Sequence, residues 1–455
     1  MILLVDYLPV LMFAALAVLL FTGFPVGFIL GGVGLGFGFL GALLGVFSVN
    51  EFFNLVVRIY GGVAENMILT AIPMFILMGT MLERSGVAHE LLHCLQILFR
   101  RTPGGLAIAV TMMGTIMAAT TGIVGASVVM MTLMALPVMM ARGYSIPMAT
   151  GTIGAAGTLG ILIPPSIMLV IMADLLVTSV GTLFIAALIP GLLLASLFVL
   201  YIAIFAWKFP HFAPPLPRDD GPDTYGDLAA LVIRAFLPPL FLMFLVLGSI
   251  AFGWATPTEA AGVGAFGAIL LAAFSRKLSL SVLQDVLVRS MRTNAMLFLI
   301  FIGATAFAYV FRSLGGDFIV GDFVESMGLG SWGVLLLMMA VIFLLGFFLE
   351  WIEITLIVIP IFTPIIRTLD FGAHLPQEDV IHWFALLVAI NLQSSFLTPP
   401  FGITLFYMKG TAPAGIKMEQ IYLGIIPFVA LQMIGLGLII AFPAIALWLP
   451  HLVFD

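Results

Sequence analysis

Two glutamates stand three residues apart in an otherwise apolar stretch, and this spacing could bind a cation or carry a proton. Glu350 and Glu353 lie in the segment FLEWIEIT, which begins at Phe348. Residues three apart share one face of a helix, and ionisable side chains at membrane depth are rare and usually functional. The same pair could instead cap the amino end of a helix or lie at a solvated hairpin tip. The sequence leaves both interpretations open.

A second set of polar groups surrounds two proline pairs, each inside a membrane-length apolar segment. GTLGILIPPS begins at Gly157, and SSFLTPPFG begins at Ser394. A proline removes an amide donor and clashes with the preceding turn, and lipid offers no water to the freed carbonyls. Matching breaks in two halves of one chain point to the binding site of a secondary transporter.

The chemistry available at these breaks favours Na⁺ together with an organic anion. Hydroxyl, amide and carbonyl oxygens suit a hard monovalent cation, and the amino ends of half-helices face an anionic group. A single isolated hydroxyl is more often an interhelical hydrogen bond, but the paired breaks favour binding. The residues predicted to bind ion or substrate lie at the two breaks and at two hairpin tips, and they are Thr120, Thr121, Gly122, Ser127, Gly157, Thr158, Gly160, Pro164, Pro165, Ser166, Glu350, Glu353, Asn391, Ser394, Ser395, Thr398, Pro399, Pro400 and Gly402.

One motif points to different chemistry. The segment from His89 to His93 reads HELLH, the pattern in which two histidines hold zinc and a glutamate activates water. No convincing third ligand is found among the other histidines, and the motif falls in what reads as an amphipathic interfacial helix. We therefore predict no zinc site and no enzyme, and keep an intramembrane protease as a minor alternative.

Composition defines the class of protein that must position these groups. Of 455 residues, 63% are hydrophobic and only 8% are charged, which is too few charges to cover a water-soluble globule. The chain is predicted to be an all-α polytopic protein of the bacterial inner membrane, with its first segment retained. The lone Cys94 excludes an intrachain disulfide, and no basic tract suggests nucleic acid.

The spacing of the prolines along the chain predicts two repeats. Pro164-Pro165 matches Pro399-Pro400 at an offset of 235 residues (399 − 164), and Pro137 matches Pro360 at an offset of 223 (360 − 137). Each half is predicted to hold about five spans, one of which is broken, plus one re-entrant hairpin. The predicted bounds are a first repeat at 1–207 with its hairpin at about 104–140 and broken span at about 147–175, a cytoplasmic linker at 208–234, and a second repeat at 235–455 with its hairpin at about 331–366 and broken span at about 382–408.

Charge placement predicts opposite orientations for the two halves, since Lys and Arg accumulate in cytoplasmic loops. Arg100, Arg101 and Arg142 flank the first hairpin, whereas acidic residues such as Asp370 and Glu378 flank the second. An odd number of spans per half inverts the second repeat. Both termini are then predicted to be periplasmic.

The sequence resembles the large membrane subunit of tripartite ATP-independent periplasmic (TRAP) transporters along nearly its whole length. The segments that carry the resemblance are AIPMFILMG from Ala71, GGLAIA from Gly104, MARGY from Met140, IPPS from Ile163, ATPTEAA from Ala255 and LTPPFG from Leu397. The resemblance implies an elevator-type Na⁺ symporter for organic acids with no other cofactor. It also implies two partners, a small four-helix membrane subunit and a soluble periplasmic substrate-binding protein.

Within that family, the tip segment TTGIVGAS from Thr120 departs from the serine-rich tip of many relatives, and looks more like the subgroup labelled for mannitol and chloroaromatic compounds. In an elevator mechanism the hairpins and broken spans would form the transport domain. The scaffold would include interfacial helices predicted at Glu51 to Val63, Val87 to Phe99, Leu278 to Met291 and Arg312 to Ser326. Thr256 or Thr258 is predicted to cap the next span, with Glu259 near its positive end.

Three functional alternatives stay open from the residues alone. Broken re-entrant segments also build the selectivity filters of ion channels. A standalone anion symporter with a similar two-repeat plan would need no binding protein. A carrier could also be coupled to protons through Glu350 and Glu353 rather than to Na⁺.

Overall fold

The computed structural model describes residues 7–121, 124–216, 225–400 and 402–454, with the side chains in these ranges except those of 118–121 and 225. The all-α prediction is confirmed, because the described ranges contain helices and no strand. The helices are α1 (Leu8–Leu20), α2 (Val26–Leu43), α3 (Glu51–Ile59), α4 (Ala71–Arg84), α5 (Val87–Leu98), α6 (Gly105–Thr121), α7 (Val124–Ala141), α8 (Ile146–Thr158), α9 (Ile167–Leu176), α10 (Val180–Lys208), α11 (Tyr225–Ala251), α12 (Pro257–Phe274), α13 (Leu280–Ser313), α14 (Gly316–Ser326), α15 (Ser331–Leu345), α16 (Trp351–Ile366), α17 (Val380–Leu397), α18 (Ile403–Thr411), α19 (Met418–Ala441) and α20 (Ala444–Phe454).

Many of these helices match the thickness of a bilayer. In the described ranges, 8 helices are long and apolar enough to cross a membrane, and 9 segments qualify if the bent pair Glu51–Ala64 and Ile68–Arg84 is one span. The two parts of that pair meet at 51°. The shorter apolar helices include α6, α15, α16 and the halves of the first broken segment. The chain is therefore a multi-pass membrane protein, with short helices where the sequence places its hairpins and breaks.

In the part of the structure without broken helices, helices of the first half of the chain pack directly against helices of the second half. Helix α2 packs along α13, and α4 packs along α12. Glycines permit the close approach of α2 and α13, since a Cβ on Gly27 would lie 2.7 Å from Leu299 Cγ and one on Gly303 would lie 2.3 Å from the Gly27 carbonyl oxygen. Small residues let helix backbones approach in membranes. Neither half completes this scaffold alone.

The hairpin helices and the broken helices pack across the two halves in the same reciprocal way. Helices α6 and α7 pack together, as do α15 and α16. Helix α9 of the first half packs on α16 of the second, and α18 of the second half packs on α7 of the first. This reciprocal packing brings both hairpin tips to both breaks. Which membrane face each hairpin opens toward stays a prediction.

One predicted scaffold element is wrong and another is confirmed. Leu278 to Met291 is not a separate interfacial helix, because α13 runs unbroken from Leu280 to Ser313. At the start of α12, Thr256 Oγ1 accepts the Glu259 N–H at 3.3 Å, and Glu259 Oε2 accepts the Thr256 N–H at 2.8 Å. This reciprocal capping box confirms the predicted cap and acid. The final predicted interfacial helix begins at Gly316 rather than Arg312, since α13 extends to Ser313.

A candidate solute cavity where three helix ends meet

The first break lies between α8 and α9 and is buried throughout. Helix α8 ends at Thr158, a short 3₁₀ turn covers Leu159–Ile161, and the Pro164-Pro165 bond is cis. Ser166 precedes α9, and its hydroxyl donates to the Ile161 carbonyl, which the break has left open. Gly157 seats the first hairpin, because a Cβ there would lie 2.4 Å from Val128 Cγ2. Predicted residue Gly160 is buried in the 3₁₀ turn.

The second break, between α17 and α18, repeats the cis proline pair at Pro399-Pro400 and holds the second hairpin. Asn391 Nδ2 donates to the Met339 carbonyl of α15 at 2.7 Å. A Cβ on Gly346 would lie 1.9 Å from Ser395 Oγ and 2.6 Å from its Cβ, so the hairpin rests directly on α17. Gly402 is equally confined, since a Cβ there would lie 2.3 Å from the Phe396 carbonyl oxygen.

The hydroxyls of the second break donate their protons to carbonyls of the preceding turn. Ser394 Oγ donates to the Ile390 carbonyl at 3.0 Å, Ser395 Oγ to Leu392 at 2.8 Å, and Thr398 Oγ1 to Ser394 at 2.8 Å. A hydroxyl whose proton is used in this way still has oxygen lone pairs to offer. The arrangement leaves acceptor capacity at the break.

Equivalent positions of the two breaks touch each other. Thr158 and Gln393 are separated by the proline-pair offset of 235 residues (393 − 158), and Gln393 Nε2 lies 3.3 Å from Thr158 Oγ1. Gln432 Nε2 of α19 lies 3.4 Å from the same oxygen. All three side chains are fully buried, and the amide oxygens of both glutamines have no hydrogen-bond partner. Two buried acceptors therefore stay unsatisfied beside the crossing of the breaks.

A cavity of about 370 Å³ opens where the hairpin tips and breaks converge. Its lining includes the first residue of each of three helices, namely Ile167, Trp351 and Ile403, which begin α9, α16 and α18, and also Val124, the first residue of α7 that the structure describes. Each helix amino end carries about half a positive charge and unpaired N–H groups. The scaffold helix α13 closes one side. Neither α9 nor α18 has a side-chain cap.

Glu350 is the charged side chain in the cavity wall. It precedes α16, and its backbone N–H donates to Glu353 Oε2 at 3.0 Å, as in a capping box. The carboxylate of Glu350 accepts the Tyr407 hydroxyl at 2.7 Å. Glu353 is 6% exposed and does not line the cavity. The helix-cap interpretation therefore accounts for Glu353, while Glu350 faces the cavity.

The predicted site residues surround the cavity more than they line it. Among the described side chains of that set, Glu350 is the one in the cavity wall, and Ser127 is buried in α7 behind it. The side chains of Thr120 and Thr121, and Gly122 altogether, lie outside the described residues. The wall residues that sequence reasoning missed are mostly apolar or aromatic, and they are Val124, Gly125, Ala126, Val129, Ile167, Thr293, Met296, Leu297, Trp351, Ile352, Phe396, Ile403, Thr404 and Tyr407.

The spacing after the second break could have revealed part of this wall. Thr404 and Tyr407 are three residues apart at the start of α18, so they share the face that begins at the break. The scaffold residues carry no such signal, because their role depends on how α13 packs across the tips.

The HELLH motif is engaged in other contacts. Lys277 Nζ lies 3.2 Å from Glu90 Oε1, an ion pair that joins α5 to the start of α13. Within the part of the chain that the structure describes, no three His, Cys, Asp or Glu side chains are grouped to hold a metal ion. That search does not address a Na⁺ site built from hydroxyl and carbonyl oxygens.

Helical hairpins and broken helices that meet at one cavity in an exchanged helical scaffold define a membrane transporter, not an enzyme. The family model described as "Tripartite ATP-independent periplasmic transporter, DctM component" matches residues 13–445. This chain belongs to that family, the large permease component of TRAP transporters. The family relation implies a small membrane subunit and a periplasmic binding protein as partners, and a place in the inner membrane.

Individual relatives share this assignment and differ in the solute they are named for. The chain is 33% identical to the C4-dicarboxylate TRAP transporter large permease protein DctM of Pseudomonas aeruginosa, over 89% of this chain and 91% of that one. It is 28% identical to the ectoine TRAP transporter large permease protein TeaC of Halomonas elongata, over 85% and 87%. Among solved structures, the Alcanivorax borkumensis YdaH transporter has a similar fold, with a TM-score of 0.62 at 12% identity over 89% and 90% of the two chains.

Proposed function

We propose that this chain carries an organic acid across the inner membrane together with Na⁺, with the solute bound in the cavity between the hairpin tips. The convergence of three helix amino ends, those of α9, α16 and α18, on one cavity supports this proposal most directly. Oriented amide groups in a water-poor site attract anions without a basic side chain. A carboxylate is the anionic group that suits the uncapped ends of α9 and α18.

Oxygen chemistry at the breaks supports Na⁺ as the coupling ion. The hydroxyls of Ser394 and Thr398 donate to carbonyls of their own helix and keep lone pairs free. The unpartnered amide oxygens of Gln393 and Gln432 add two buried acceptors nearby. A cation coordinated by these oxygens also lowers the repulsion that Glu350 exerts on an anion.

The movement proposed for transport is that of an elevator. The hairpins and broken helices would move as one body against the scaffold of α2, α4, α12 and α13. Two hydrogen bonds join the bodies in this state: Asn66 Nδ2 donates to Asp174 Oδ1 at 2.7 Å, and Arg312 Nη2 donates to the Pro360 carbonyl at 2.7 Å. Both bonds would have to change partners when the moving body shifts. Both termini are proposed to be periplasmic.

The first test measures the stability of the detergent-purified complex as NaCl replaces KCl at constant ionic strength. An ion that binds the folded form alone stabilises it by about 2.7 kcal/mol at about 100 times its Kd. We expect a saturable rise in unfolding temperature that is specific for Na⁺. Thr398→Val, which removes one oxygen and keeps the shape, should weaken the rise.

A matched control is available in the scaffold. Thr80 Oγ1 donates to the Ile76 carbonyl at 2.8 Å, the same kind of bond in a helix without a break. Thr80→Val should leave the Na⁺ response unchanged. Equal stability in both salts would contradict Na⁺ coupling and favour a carrier that uses protons through Glu350.

A further inference from the structure

The charge of the cavity wall is unusual for a site that takes only an anion. Glu350 faces the cavity with its carboxylate, and no basic side chain lines the wall among the described residues. The sequence makes the same point independently, because 105–141 and 331–366 contain no Lys, Arg or His. Arg292 precedes Thr293 on α13 but does not line the cavity. A simple anion would therefore meet a like charge with no cationic side chain beside it.

Three aromatic side chains line the same cavity as Glu350. They are Trp351, Phe396 and Tyr407, and the Tyr407 hydroxyl donates to the Glu350 carboxylate at 2.7 Å. A carboxylate with aromatic rings around it is the chemistry that binds organic ammonium groups, through charge pairing and cation–π attraction.

The size of the cavity separates an organic cation from a bare metal ion. A volume of about 370 Å³ is more than ten times the roughly 30 Å³ of one water molecule. A bare Na⁺ needs several oxygen ligands at short distance, whereas most of this wall is apolar or aromatic. The oxygens suited to Na⁺ lie behind the wall, at Ser394 and Thr398.

We infer that the solute of this transporter is a carboxylate that also carries a cationic nitrogen, with the nitrogen held by Glu350 and the aromatic side chains around it. The carboxylate end lies at the uncapped amino ends of α9 and α18, and the nitrogen lies at α16, whose amino end is already occupied by Glu350 and Glu353. Amino acids, betaines and cyclic amidine acids belong to this class. The inference rests on the proposed function, because it takes the cavity as the solute site.

The test uses pairs of acids that differ in charge and hardly in shape. Glycine betaine and tert-butylacetate share one outline, with a quaternary nitrogen in the first where the second has carbon; phenylalanine and phenyllactate form a second pair. Unfolding temperature of the purified complex of both membrane subunits, at saturating NaCl, gives an apparent Kd for each acid. We expect the tightest ligand to carry nitrogen and to bind at least about tenfold more tightly than its partner.

Variants locate the preference. Glu350→Gln keeps the length of the side chain and an acceptor for Tyr407, and it should reduce the ratio within each pair to about one. Tyr407→Phe keeps the ring and releases the carboxylate, so the ratio should persist or rise. Glu259→Gln makes the same change in the capping box of α12, far from the cavity lining, and should leave the ratio unchanged.

Each outcome has a distinct meaning. The inference is overturned if the nitrogen-free acids bind as tightly as their nitrogen-containing partners, or if the preference survives Glu350→Gln. In either case the cavity remains an acid-binding site. If only the nitrogen-free acids bind, and do so with Na⁺, the proposed function stands and the inference fails. If no acid of either pair binds in NaCl, both are contradicted.

Discussion

The two breaks share the geometry of their backbone and differ in the chemistry of their side chains. Both contain a cis proline pair between two helices. At four equivalent positions the second break has polar residues, namely Asn391, Ser394, Ser395 and Thr398. At the positions 235 residues earlier (399 − 164) the first break has apolar ones, namely Ala156, Leu159, Gly160 and Ile163. The first break is buried throughout, whereas the second becomes exposed at Pro400.

This difference shows that a duplicated backbone does not require a duplicated site. The first break acts as a packed wall, and the second supplies most of the polar groups. The hairpins differ in the same direction, since Glu350 and Glu353 lie in the second and no ionisable residue lies in 105–141. A solute held between the two halves therefore meets unlike surroundings at its two ends.

The largest expected effect comes from the glycines that seat the hairpins. Gly157→Ala and Gly346→Ala should each destabilise the protein by about 1–3 kcal/mol, because the added methyl overlaps Val128 or Ser395. Gly346→Ala should cost more, since it also meets Ser395 Cβ, which cannot move without its backbone. SDS-induced unfolding in mixed micelles measures both.

Second substitutions make this comparison sharper. Val128→Ala should restore the first variant and Ser395→Gly the second, while the crossed combinations should restore neither. Rescue by a crossed pair would show that the loss does not arise at the seat of the hairpin.

An intermediate effect is expected where the two breaks touch. Thr158→Val keeps the shape but leaves the amide donors of Gln393 and Gln432 unpaired, at a cost of about 2 kcal/mol. Gln393→Leu removes one donor together with an oxygen that already lacks a partner, so its cost should stay below about 1 kcal/mol. Equal losses in the unfolding free energies would contradict the asymmetry drawn from the unpartnered oxygens.

The smallest effect concerns two arginines at equivalent helix ends. Arg312 Nη2 donates to the Pro360 carbonyl, whose usual helical donor is missing because position 364 is proline. Arg84 instead pairs with Asp285 at 2.6 Å, with both side chains more than a third exposed. Arg312→Ala should cost about 1 kcal/mol and Arg84→Ala about 0.5 kcal/mol.

Salt separates the two arginines further. Only the Arg84 effect should fade in high salt, because screening weakens an exposed ion pair more than a hydrogen bond to a carbonyl. Unfolding measured at low and high KCl tests this. The same salt dependence for both variants would show that Arg312 also acts through Asp317, 3.4 Å away.

Local sequence rules predicted features that depend on local interactions. The proline pairs marked both breaks, and the TPTE segment marked the capping box of Thr256 and Glu259, because each depends on residues within one turn. The separate helix predicted at Leu278 to Met291 was wrong because no local signal ends it there. The first half has Gly61 and Gly62 at its bend, whereas 279–302 contains neither glycine nor proline, so α13 continues.

The cavity wall could not be predicted in the same way. Thr293, Met296 and Leu297 enter it only because α13 packs across the hairpin tips, which is a long-range contact without a local signature. Trp351 and Phe396 read as ordinary membrane side chains in the sequence. Tyr407 became significant only once its hydroxyl was found against Glu350.

The exchanged packing of α2 on α13 also sets a schedule for biosynthesis. Helix α2 ends at Leu43 and α13 begins at Leu280, so 236 residues (279 − 43) are translated between the two partners. At about 5–20 residues per second, this interval is on the order of 10–50 s. During that time the glycine face of α2, which includes Gly27, meets lipid or the insertion machinery instead of its partner. The nascent first half is thus an incomplete intermediate until α13 has been translated as far as Ser313.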